Sequence, residues 1–329
     1  MERSAVPPPV TTVLDAAEAW LPQRMGAVEQ RLSDLVDDHG DELAEHAGAT
    51  LAAGGKRLRP MLVLLCAGAE AGDAAVGAAT AVELVHMATL VHDDVLDAAP
   101  LRRGRPTVFA RAGRGAATAT GDLLLSRAFA ELAAGGSGAA RRVALLAAAS
   151  VGLAQGELAQ RRDAFVVEID RERYLERCRL KTARLFECAC LIGLDPEPDG
   201  QSREALAAYG REIGLAFQLL DDVLDVAGPP ARTGKARGTD LLDGTVTLPL
   251  IVARERDPAL AAIDLRALDA SGAEAACDRI AATGALEEVR AGARRRVESA
   301  KAALGQAELD RQRLELLGLV ADGVVERYS

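Results

Sequence analysis

The chain has 329 residues, 49% of them hydrophobic but only 3% aromatic, and a formal net charge of −10. That length suits one large domain or two small ones, and a core this poor in rings must be built of Ala, Leu and Val. The acid excess argues against a nucleic-acid coat, and a chain rich in helix formers with few alternating segments points to an all-α fold class.

Taken in order, residues 1–12 read as a disordered tail, without the charged and apolar regions of a signal peptide. Helical periodicity runs over 13–38 and 41–53, and Gly54 and Gly55 then break it ahead of KRLRP. Helices follow at 61–71, 74–98, 117–134, 139–161, 170–193 and 201–226, separated by ELAAGGSGAA, LDPEPDG and AGPPARTGKARG. The last third predicts helices at 246–256, 271–283, 285–305 and 308–326. No boundary has the composition of a flexible linker, so 13–329 reads as a single helical domain. Apolar runs such as VALLAAASVGLA, from Val143, fall short of a bilayer span, and the expectation is a cytoplasmic protein. Cys66, Cys178, Cys188, Cys190 and Cys277 show no paired zinc spacing and read as buried free thiols. His39 and His46 sit in a polar helix pair and are expected to face solvent.

The segment VHDDVLD puts Asp93 and Asp97 four residues apart, on one face of a helix, with Asp94 about 100° around it. FQLLDDVLD repeats the pattern with Asp221, Asp222 and Asp225. Like charges at this spacing destabilise a helix by a few tenths of a kcal/mol unless a cation compensates. A single such motif is usually a solvated helix face; two in one chain ask for a shared purpose. Carboxylate oxygens on rigid helices suit Mg²⁺, which shares its coordination with substrate phosphates. If the two helices face each other, the six carboxylates converge on a metal cluster. Cations flank both motifs: Lys56, Arg57 and Arg59 in GGKRLRP, Arg102 and Arg103 in LRRGRPT, Lys181 in LKTARLF and Lys235 in TGKARGTD. Guanidinium and ammonium groups there make two anionic subsites, one filled through metal and one held directly. No Gly-x-x-x-x-Gly-Lys-Ser/Thr loop and no GxSxG element occurs. A metal and diphosphate site without a nucleophile points to diphosphate as a leaving group. The carbocation left behind needs an apolar pocket.

In the order GGKRLRP, HDDVLD with LRRGRPT, GDLLL, LKTARLF, FQLLDDVLD and GKARGTDLLDGTVTLPL, the chain resembles the trans-isoprenyl diphosphate synthases over residues 50–255. The resemblance implies an all-α bundle around a deep apolar cavity, a homodimer, and successive addition of isopentenyl diphosphate to an allylic diphosphate with three Mg²⁺ ions. It implies Asp93, Asp97 and Asp221 as metal ligands with Asp94, Asp222 and Asp225 beside them. Arg102, Lys181 and Lys235 would hold the allylic diphosphate. Lys56, Arg59, His86 and Arg103 would hold isopentenyl diphosphate, and Thr182 and Gln218 would complete the polar rim. His92 would support the aspartates rather than ligate, and Tyr209 would be core. Two features depart from patterns found in relatives. Thr245 stands where many carry a lysine, and the first acidic motif is the short form.

Product length depends on what lies below Asp93. The residues one turn down are Thr89 and Ala88, where short-chain relatives often place an aromatic floor. Each isoprene unit needs roughly 5 Å, about one helical turn. The next candidate floors are Leu84 on the same helix and Phe129 on its neighbour. The expectation is a product of thirty carbons or more, with a geranylgeranyl product open if a side chain of the 117–134 helix intervenes. A terpene cyclase would not need Lys56, Arg59, His86 and Arg103, and a non-catalytic partner subunit would not need both acidic motifs. The downstream pathway, and contact with a membrane for product release, stay open.

Overall fold

A computed structural model of the chain describes residues 8–37, 41–52, 54–55, 57–102, 104–195, 199–228 and 237–326. It opens with α1 (Pro8–Ala16), α2 (Leu21–Asp37) and α3 (Asp41–Ala52). The helix therefore starts inside the stretch expected to be a tail, and the helix expected over 13–38 is two. Pro22 explains the break: it lacks an N–H and its ring clashes with the carbonyl four residues back, yet it fits a first turn. His46, expected in solvent, is buried on α3 at 6% exposure; His39 lies outside the described residues.

Next come α4 (Leu58–Ala67) and α5 (Asp73–Leu96), followed by a two-stranded ribbon, β1 (Leu101–Arg102) paired antiparallel to β2 (Arg105–Pro106). Gly104, at φ 73°, supplies the left-handed backbone that this tight ribbon requires. The Thr107 side chain accepts from Ala110 N at 3.0 Å and caps α6 (Val108–Ala133), which begins nine residues before the expected start and kinks at Gly113. Then follow α7 (Ala139–Asp163), α8 (Arg171–Cys178), a π turn (Arg179–Ala183) and α9 (Arg184–Ile192) in place of one helix over 170–193. The long α10 (Gly200–Ala227) leads to α11 (Thr239–Leu242), α12 (Leu248–Arg254), α13 (Pro258–Ala261), α14 (Ala270–Ala282), α15 (Ala285–Leu304) and α16 (Arg311–Glu326).

The centre of the bundle is α5, buried without a break from Ala75 to Val85, as a helix enclosed on all sides must be. It packs along α6, α10 packs along α9 and α15, and α1 rests on α16. All five cysteines are free and buried, and Tyr209 is core, its hydroxyl donating to Leu317 O at 2.8 Å. The expectation that no apolar segment reaches bilayer length is corrected. By length and composition alone, α5 and α7 are each long enough to cross a membrane, although the apolar window of α5 is 78% buried and that of α7 28%.

The π turn depends on glycine. A Cβ on Gly156 of α7 would meet Lys181 N at 2.5 Å, and one on Gly214 of α10 would meet Ala183 Cα at 2.6 Å. Both helices close on the widened backbone only because these positions carry no side chain. Gly156→Ala is expected to lower the unfolding free energy by about 1–3 kcal/mol through overpacking. Gly26→Ala in α2, where a Cβ meets nothing within 4 Å, should raise it by about 0.5–1 kcal/mol. Urea unfolding followed by circular dichroism checks both; equal stability of Gly156→Ala and the parent would show the contact to be soft.

Candidate active site

A cavity of about 880 Å³ is enclosed by α5, α6, α7, the α8–α9 segment, α10 and the start of α11. Along α5 its lining runs from Val85 through Ala88 and Thr89 to Asp93 and Asp97, and along α7 from Ser150 to Glu157 and Arg161. Arg161 donates to Asp97 at 2.5 Å, so the two helices bring their charged ends to one mouth and their apolar ends to one interior.

Of the expected site residues, Arg59, His86, Ala88, Thr89, Asp93, Asp97, Arg102, Lys181, Thr182, Gln218, Asp221 and Asp222 line this cavity. Lys56, Arg103 and Lys235 lie outside the described residues. Four others are placed elsewhere. Asp94 turns beneath the ribbon, where Arg102 Nε donates to it at 2.8 Å. Asp225 holds the approach to α11, accepting Gly238 N on its carbonyl at 3.0 Å and Asp240 N on its carboxylate at 3.3 Å. Leu84 and Phe129 do not line the cavity; Val85 and Leu125 do. The reason is helical phase: stepping back by four from Asp93 gives Thr89 and then Val85, whereas Leu84 sits a further 100° around and is buried in the packing around α5.

Asp93, Asp97 and Glu157 at the mouth are matched by cations. Lys181 Nζ is 3.7 Å from Asp93 and donates to Glu157 at 2.5 Å, and Arg161 donates to Glu157 at 2.9 Å as well as to Asp97. Burial raises the Asp93 carboxyl despite the charge on Lys181. Burial also works against the Lys181 ammonium, but Asp93 and Glu157 outweigh it and hold its pKa above the ordinary lysine value. Among the described residues no group of three His, Cys, Asp or Glu is drawn together to hold a metal ion. This corrects the picture of six converged carboxylates. Lys181 and Arg161 stand among the α5 and α7 carboxylates. The donor set still fits Mg²⁺, because Asp93, Asp97 and Asp221 offer oxygen ligands to one cavity.

The second motif is braced from below. Thr182 Oγ1 donates to Gln218 Oε1 at 2.7 Å, Gln218 Nε2 donates to Asp222 Oδ1 at 2.8 Å, and the Tyr174 hydroxyl donates to Asp222 Oδ2 at 2.5 Å. Burial, with the charge on Asp240, pushes the Asp222 carboxyl up to about 8. At the far side, the Arg59 guanidinium carbon lies 4.5 Å from the centre of the Phe186 ring, and burial, opposed by Glu83, brings its pKa down to about 10. Arg57, left-handed at φ 47°, straps this loop by donating to Glu83 at 2.7 Å and Glu29 at 2.5 Å.

The family profile for polyprenyl synthetase matches residues 41–280. The chain belongs to the polyprenyl synthetase family. It is 40% identical over 256 residues to heptaprenyl diphosphate synthase component 2 of Geobacillus stearothermophilus, covering 76% of this chain and 78% of that one. It is 36% identical over 263 residues to octaprenyl diphosphate synthase of Escherichia coli, covering 76% and 80%. Among solved structures, polyprenyl synthase of Caulobacter crescentus, complexed with calcium and isoprenyl diphosphate, superposes at a TM-score of 0.89 with 33% identity over the whole of both chains. The protein is thus a prenyltransferase of all-α fold.

Within this family frame, the GDLLL motif acquires a physical role. A Cβ on Gly121 would fall 2.3 Å from His92 Nε2, which lies 3.3 Å from Asp122 Oδ1. Gly121 admits the ring and Asp122 steadies it beside the first aspartates. The sequence reading missed Glu157, Arg161, Tyr174, Arg177 and Asp240, all of which line the cavity. Glu157 and Arg161 look like a solvated i,i+4 pair, and the signal against that was Gly156, an isolated glycine in a good helix. Tyr174→Phe removes one donor from buried Asp222 and is expected to cost about 1–3 kcal/mol of stability at pH 9. Below the raised pKa of Asp222 the carboxyl is neutral, so the loss should shrink by pH 6. Urea titrations of both proteins at the two pH values check this, and an equal loss at each would contradict it.

Proposed function

We propose that this prenyltransferase adds isopentenyl diphosphate repeatedly, head to tail, to an allylic diphosphate and releases an all-trans polyprenyl diphosphate of thirty carbons or more. The observation that carries the reading is one cavity with a charged mouth and an interior whose α5 wall is Thr89, Ala88 and Val85, none of them aromatic. The names of the heptaprenyl and octaprenyl relatives support the length. In each cycle the C1–O bond of the allylic substrate breaks, with its electron pair leaving on diphosphate. The π bond of isopentenyl diphosphate closes on C1, and a proton is lost from C2. Asp93, Asp97 and Asp221 would hold Mg²⁺, three ions in all, which when bound neutralises the charge on the departing diphosphate. Lys181 would meet that diphosphate beside Asp93, together with Arg102 and Lys235. Arg59 and His86, with Lys56 and Arg103, would take the second diphosphate. Asp222 would serve as a buried support, oriented by Tyr174 and Gln218.

The active unit is proposed to be a homodimer paired through the outer face of α7, where Val151 is 58% exposed. Light scattering should give twice the chain mass, and Ala148→Lys with Val151→Lys should halve it. A monomeric parent would remove the dimer from the reading. For activity, isopentenyl diphosphate, Mg²⁺ and farnesyl or geranylgeranyl diphosphate should yield a ladder ending at thirty carbons or longer by mass spectrometry. A stop at twenty would keep the chemistry and overturn the length. Asp93→Ala and Asp221→Ala are each expected to reduce turnover by about a hundredfold or more; prenyl transfer that survives both would sink the metal assignment.

A further inference from the structure

Arg177 joins neither the ion pairs at the mouth nor the contacts that brace Asp222, yet it lines the cavity with a side chain only 4% exposed. One arm is committed: Nη2 donates to Val246 O at 2.5 Å. The other is not. Nη1 lies 3.6 Å from Asp163 Oδ2, an ion pair too long to be a hydrogen bond, and both atoms are buried with no hydrogen-bond partner. The other oxygen of Asp163 is taken by Arg173, whose Nε donates to it at 2.9 Å. Buried guanidinium donors are rarely left unbonded, and one that lines a substrate cavity calls for an explanation.

The position supplies one. Arg177 precedes Lys181 by one turn, and both side chains line the same cavity. Its guanidinium carbon lies 5.5 Å from the centre of the Tyr174 ring, whose hydroxyl holds Asp222. Val246, to which it is tied, follows Thr245, a neutral residue of the cavity wall. A buried cation from α8 is thus fastened to the backbone of the residue next to that neutral wall position.

We propose that Arg177 binds the allylic diphosphate, supplying from α8 the charge that Thr245 does not supply from its loop. The assignment rests on the reading of this cavity as an allylic diphosphate site. Bound diphosphate oxygen would take the Nη1 donor, while Val246 O and Asp163 fix the fork. A guanidinium held in this way is a directional partner for phosphate, not a loose point charge.

The alternative is that Arg177 only ties Val246 to α8, and introducing a lysine at position 245 separates the two. Arg177→Met should raise the KM for farnesyl diphosphate about ten- to a hundredfold and leave the KM for isopentenyl diphosphate within about twofold. Adding Thr245→Lys to Arg177→Met should recover most of the loss. Calorimetric affinity for inorganic pyrophosphate in the presence of Mg²⁺ should fall and recover in step. A purely structural role predicts a lower melting temperature and a loss that lysine at 245 does not repair. That result, or an unchanged KM in a variant that melts like the parent, overturns the proposal. Should Arg177→Met fail to fold, Arg177→Lys keeps the charge but loses the fork, and it must still raise the farnesyl diphosphate KM selectively. A parent that neither elongates a primer nor binds pyrophosphate would instead refute the function itself.

Discussion

Asp93, Asp97 and Glu157 meet Lys181 and Arg161 at the mouth of the cavity, and this mutual neutralisation lets the surrounding helices bring their charged ends together. Asp93 and Asp97 come from α5, Glu157 and Arg161 from α7, and Lys181 from the π turn. Exposed ion pairs contribute about 0–1 kcal/mol each, so the network is not a large source of stability. Its effect is on arrangement. Lys181 is half-buried and flanked by two acids, and removing either cation would leave carboxylates facing one another across a partly desolvated space. Any ligand that binds these side chains must compete with their internal partners.

Close backbone approach makes that arrangement possible. Gly121 receives the His92 ring, Gly156 receives the backbone of Lys181, and Gly214 receives Ala183. Each glycine lies where a functional side chain, or the segment bearing it, must pass within what would otherwise be the radius of a Cβ. The chain thus puts its smallest residues beside its most charged ones. The low aromatic content follows the same logic at larger scale, because an interior that must hold a growing apolar chain is bounded on α5 by Val85, Ala88 and Thr89.

The two acidic motifs were legible in the sequence because helical periodicity fixes which side chains share a face. So were the all-helical fold, the core placement of Tyr209 and the free thiols, since composition and spacing carry that information. What periodicity does not carry is the neighbour. Asp94 and Asp225 have the spacing of ligands, but that spacing did not disclose that Arg102 and the backbone before α11 hold them here. Leu84 lies on nearly the right face and misses the cavity by about 100°. Tyr174, Arg177 and Glu157 carry no local motif at all; their roles exist only across helices. The π turn was invisible for a different reason, because RLKTA is a good helical sequence and its extra width is imposed by the packing of α7 and α10.

That turn ties together two distant parts of the molecule. Lys181 stands on it, and five residues later Phe186 forms the seat for Arg59. The spacing between these two cation-bearing positions is therefore counted out along a single stretch of backbone. A π turn carries one residue more than the α turn it replaces, so loss of one residue there would restore an ordinary helix and leave Phe186 near its present seat. What would go is the widened backbone that sets Lys181 against Gly156. The extra residue thus lets the placement of Lys181 be altered by length while the ring beneath Arg59 stays where it is.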